Sequence, residues 1–63
     1  MNTNYDEQNL RYGLDILDSL KKELEKGLNG QYVAGRYIRE KAELLERVAI
    51  FVDNTNTAEL NTE

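Results

Sequence analysis

The sequence predicts an all-α protein, an antiparallel helical hairpin that dimerises into a four-helix bundle. Three observations predict it. Apolar residues recur at steps of three and four on both sides of one glycine-rich interruption. The chain has no proline and no cysteine, so neither a ring nor a disulfide framework opposes long helices. Its 63 residues carry wider apolar arcs than a single helix–helix contact can cover.

The polar residues 1–4 read as a frayed N-terminus. Asn4 and Glu7 have the spacing of a capping box, which predicts a first helix over residues 5–28. Asp6 and Glu7 then lie near the positive end of the helix dipole, and Lys21, Lys22 and Lys26 toward the negative end. Leu10, Leu14, Leu17, Leu20, Leu24 and Leu28 repeat along one face. Five of them (Leu10, Leu14, Leu17, Leu24 and Leu28) are the expected helix–helix core. Tyr5, Tyr12 and Ile16 form a second stripe, joined to the first through Leu20. This stripe is the expected association or partner surface of the first helix. Lys21 falls in the core row, where its stem can pack while its amine reaches water.

Gly27, Asn29 and Gly30 tolerate left-handed backbone and predict a helix stop with a turn at 29–30. Spacing alone leaves open which glycine takes the left-handed position.

The second helix is expected over 31–53. Ile38, Leu45 and Val52 repeat every seven residues, and so do Gly35, Ala42 and Ala49. Large side chains in one row and small ones in the next allow close helix approach, so these six complete the expected core. A third heptad row, Tyr37, Leu44 and Phe51, widens the apolar arc together with Val33 and Val48. These five complete the expected association surface. Arg36, Arg39, Glu40, Glu43, Glu46 and Arg47 make a solvated face with pairs four apart. Residues 54–63 are rich in Asn and Thr and predict a disordered polar tail, with Leu60 as its one candidate docking side chain.

A second architecture fits the same periodicity. Leu10, Leu17, Leu24, Gln31, Ile38, Leu45 and Val52 lie on one unbroken heptad register, as one continuous coiled-coil helix would need. Gly27, Gly30 and Gly35 oppose it, each costing about 1 kcal/mol relative to Ala inside a helix.

The residues that carry most protein chemistry are missing. No histidine and no cysteine are present, which removes the commonest general base and the usual ligands of tight metal sites. Ser19 is the only serine and has no base to activate it. Asp15 with Asp18, and Glu40 with Glu43, are three apart on polar arcs and read as solvated charges. The four glycines fit no phosphate-binding loop. The expectation is a non-enzyme with no cofactor, no metal and no small-molecule substrate.

The net charge of −4 and the interleaving of acids with the eight basic residues disfavour a phosphate-tracking surface, although Tyr12 and Tyr37 could stack on bases. The longest apolar run is Val48–Val52, too short to cross a bilayer, and residues 1–7 lack the pattern of a secretory signal. A cytoplasmic location is expected. In length and plan the chain resembles the Rop-type plasmid proteins, helical hairpins that dimerise into four-helix bundles and bind RNA. No motif aligns with them, so the resemblance is architectural and carries no functional residue.

Together these features predict a small regulatory protein that forms a homodimer and binds and modulates a protein partner. A phage or mobile-element factor acting on a host protein, as an inhibitor for example, fits the size. A Rop-like nucleic-acid binder and a purely structural oligomerisation subunit are the alternatives.

Overall fold

The computed structural model describes the backbone of residues 4–61 and the side chains from Asn4 to Ala58. Helix α1 spans Glu7–Leu28 and helix α2 spans Gly35–Asn61. They pack side by side in opposite directions as an all-α hairpin about 53 × 18 × 15 Å in extent. The continuous coiled coil is thereby excluded. Of the segment read as a frayed N-terminus, residues 1–3 lie outside the described residues, as do residues 62–63 and the side chain of Leu60.

Asp6, not Asn4, caps α1. Its carboxylate accepts a hydrogen bond from the Gln8 amide at 3.0 Å, satisfying one of the free N–H groups of the first turn. Glu7 is drawn instead to Arg11, one turn on, at 2.7 Å. Tyr5 stays outside the helix, and its hydroxyl donates across the hairpin to Asn56 Oδ1 at 2.5 Å.

The end of α1 is a Schellman motif. The Gln31 amide donates to the Lys26 carbonyl at 2.8 Å, and the Gly30 amide to the Gly27 carbonyl at 3.1 Å. Gly30 holds φ at +78°, so it is the glycine that takes the left-handed position. Residues 31–34 follow without helix, and α2 opens four residues later than expected. The Ala34 carbonyl accepts the first bond of α2, from the Ile38 amide at 3.2 Å. That delay has a physical reason. The non-helical stretch lays Val33 against the Cα of Gly27, where a Cβ would sit 2.9 Å from Val33 Cγ2. It also brings the Ala34 amide to Glu23 Oε2 at 2.9 Å.

The expected tail is corrected: residues 54–61 are not disordered but continue α2, which runs to Asn61. Thr55 is partly buried and returns its hydroxyl to the Phe51 carbonyl at 3.1 Å, and Asn56 receives Tyr5. Asn and Thr are weak helix formers, but here Tyr5, just ahead of α1, and the Phe51 carbonyl give them contacts that propensity does not count.

The expected core is also corrected. Within one chain, α1 turns Asn9, Gly13, Ile16 and Leu20 toward α2, and Glu23 and Gly27 toward Ala34 and Val33 of the connection. Opposite them the seam runs through Ala34, just ahead of α2, and then Ile38, Lys41, Leu45, Val48, Val52 and Thr55, all at least partly buried. Both rows step by four and three. Ile38, Leu45 and Val52 therefore lie in the seam as heptad positions. Leu10, Leu14, Leu17, Leu24 and Leu28 do not, and nor do Gly35, Ala42 and Ala49, all of which are exposed. Ile16, Leu20, Val33 and Val48, expected to face a partner, are instead the interior of the hairpin.

Two anchors decide this rotation. Gly13 gives Val48 a place to enter, since a Cβ there would sit 3.1 Å from Val48 Cγ1. Glu23 is held by the start of α2. Both lie one residue, or about 100°, before a leucine of the exposed row.

Candidate interaction surfaces

The hairpin buries little of its apolar side-chain surface. Only Ile16, at 2% exposure, and Val48, at 7%, are buried hydrophobic side chains among the described residues. Most of the remaining apolar groups fall on two opposite sides, apart from Tyr32 in the connection and Ile50 on the outer face of α2. In an antiparallel pair, the residue after each seam position on both helices points to one side. The residue before each seam position points to the other.

The first side carries the residues that follow the seam. On α1 these are Leu10, Leu14, Leu17, Leu24 and Leu28, with Lys21 completing the row. Leu14 is 65% exposed and Leu28 88%. Leu17, Leu20, Leu24 and Leu28 border a shallow open depression with Lys21 and Glu25. On α2 the matching positions are Gly35, Ala42 and Ala49, with Arg39, Glu46 and Asp53 at the outer edge. No side chain comes within 4 Å of a Cβ placed on Gly35. This side is a ridge of leucines beside a strip with almost no side chain.

The second side carries the residues that precede the seam. Tyr12 on α1 and Tyr37, Leu44 and Phe51 on α2 lie there, with Tyr5 at the open end of the hairpin. Phe51 is 60% exposed, and Tyr12, Tyr37 and Tyr5 are exposed as well. Lys41 Nζ sits 5.5 Å from the centre of the Tyr37 ring, within cation–π range. Of the nine residues expected to form an association surface, these five stay at the surface, with Leu44 partly covered. Ile16, Leu20 and Val48 are consumed by the seam, and Val33 packs against Gly27 in the connection.

Glu23 is the functional-type residue that sequence reasoning passed over. Glu23 is 7% exposed, and its carboxylate lies against the connection between the helices. It accepts from the Ala34 amide at 2.9 Å and from Lys26 Nζ at 3.0 Å. The Ala34 N–H bond, followed by the Lys26 ammonium, holds its pKa below the ordinary glutamate value despite burial. Both oxygens are engaged, so the group is a structural clasp on the connection. A Glu four residues before Gly27 gives no sign of this in the sequence.

The basic residues do not make a continuous track. Arg11, Lys22, Lys26 and Arg36 are each paired with a carboxylate one turn away, at 2.7, 3.0, 3.0 and 3.6 Å. The Asp18 carboxylate beside Lys22 raises that ammonium's pKa. Among the described residues, no group of three or more acidic side chains could hold a metal ion. No helix there is long and apolar enough to cross a membrane. Comparison with known proteins gives no matching family, no similar characterised protein and no similar solved structure.

Proposed function

We propose that this chain is a non-enzymatic interaction protein that binds and modulates a protein partner through its aromatic side. The observation that carries the reading is the placement of Tyr12, Tyr37 and Phe51, all exposed, in the row just before the seam positions. Aromatic side chains bring large contact area at low entropic cost, and they dominate the energetics of protein–protein interfaces. An exposed tyrosine needs no explanation by itself. Three aromatics on one side of an 18 Å-wide hairpin make a patch.

A protein suits this patch better than a nucleic acid. The net charge is −4, and four of the eight basic residues are already paired with carboxylates. Phosphate recognition needs unpaired, clustered cations.

The test is site-specific photocrosslinking in cells of the natural source. A photoreactive phenylalanine analogue is placed at position 12, 37 or 51, with position 43, on the exposed outer face of α2, as the control. The reading expects one discrete protein adduct from the three aromatic positions and none from the control. Phe51→Ser and Tyr37→Ser should then weaken binding of that protein at least tenfold, a loss of about 1.4 kcal/mol, as for interface hot spots. Adducts that do not depend on position would overturn it.

A further inference from the structure

Leu10, Leu17 and Leu24 recur every seven residues on α1. Ala49, Ala42 and Gly35 recur every seven on α2, on the same side of the hairpin. The register fixed by Gly13 against Val48 sets each leucine about 3 Å, two residues of rise, from the level of its small counterpart. The chain therefore carries a ridge and a matching furrow side by side at one spacing. A twofold axis parallel to the helices keeps every level and exchanges the two sides. It lays each ridge on the other copy's furrow, with all neighbouring helices antiparallel. A surface that is its own complement is what a twofold dimer requires. Leucine against glycine or alanine also lets helix axes approach closely.

The area agrees. A compact monomer of this mass exposes about 4,200 Å², whereas this chain exposes 5365 Å². The excess, about 1,200 Å², exceeds the roughly 800 Å² that each partner hides in a standard stable interface.

We propose that the leucine side is the homodimer interface of this protein, with Leu10, Leu17 and Leu24 of each copy seated on Ala49, Ala42 and Gly35 of the other. The product is a four-helix bundle that turns two identical aromatic sides outward.

Full-length chains test this directly, because the sequence has no cysteine of its own. Leu17→Cys and Ala42→Cys single variants are prepared separately, then mixed and oxidised. A mixed disulfide pair that far exceeds either self-pair is the expected result, since only cross-copy 17–42 contacts bring those positions within bonding reach. Predominant self-pairing of Leu17→Cys would mean leucine faces leucine and would overturn the arrangement. Sedimentation of the unmodified chain should give twice 7.3 kDa. A single-copy mass at every concentration would overturn the dimer itself. Ala42→Glu should abolish the mixed disulfide and the double mass together. If both persist, the furrow is not the contact.

Discussion

Glu23 is buried because the connection needs an acceptor. The Ala34 amide stands at the start of α2, where free N–H groups and the helix dipole favour a negative charge. Its lowered pKa sets the direction of a pH effect. A carboxylate whose pKa is depressed by folding adds stability above its unfolded value, and that stability is lost as pH falls through the folded value. Acid titration followed by circular dichroism should therefore show the hairpin loosening below the ordinary glutamate range. Glu23→Gln should lower the thermal midpoint by several degrees at neutral pH and flatten that part of the acid profile. An unchanged profile would remove Glu23 from the account.

Gly13 offers a sharper test at the same scale, because its two effects have opposite signs. Leucine is the better helix former by somewhat less than about 1 kcal/mol. Yet even a Cβ at position 13 would stand 3.1 Å from Val48 Cγ1 and 3.9 Å from Leu45 Cδ1. Valine is stiff at χ1 in a helix and cannot turn aside. Gly13→Leu should therefore destabilise by about 1–3 kcal/mol in urea unfolding, as overpacked cores do. Adding Val48→Ala should recover part of that loss. A stabilised single variant would mean the helices are not in close contact there.

At the scale of the elements, α2 outlasts its own helix propensity. Its last turns hold because Thr55 packs at the open end and Tyr5 reaches Asn56. Deleting residues 55–63 should therefore lower stability by about 1 kcal/mol, the usual worth of a hydrogen bond, plus the lost packing of Thr55. A midpoint unmoved by the truncation would show those contacts to be idle. Two helices and a turn were legible in the sequence, because periodicity and three turn-forming residues within four positions mark them strongly. The seam was not. Six leucines on one face look like a core, whereas Asn9, Gly13 and Glu23 look like a polar edge interrupted by a weak helix former. What placed the second set inside was a space for Val48 and a bond to Ala34, both made by residues more than ten positions away. The aromatic stripe was half legible: the heptad of Tyr37, Leu44 and Phe51 stands out. That Ile16 and Val48 belong to the interior depends on the rotation of α1, which periodicity does not fix.

At the scale of the molecule, the two sides of the hairpin answer different needs. A chain whose buried apolar side chains, among the described residues, are Ile16 and Val48 holds a small core for the backbone it must order. Covering the leucine side would enlarge that core without touching the seam. Folding and association then become linked by mass action. The thermal midpoint should rise with protein concentration, and a hundredfold dilution toward the dissociation constant should remove about 2.7 kcal/mol of apparent stability. Circular dichroism melts across that range measure it directly. The contrast between neighbouring residues completes the prediction. Ile16→Asp buries a carboxylate inside the hairpin and should abolish helicity at every concentration. Leu17→Asp places its charge on the outer side, so it should remove the concentration dependence and leave the low midpoint of a single hairpin. If Leu17→Asp instead melted like the unmodified chain at all concentrations, the leucine side would contribute nothing to stability and its heptad would need another cause.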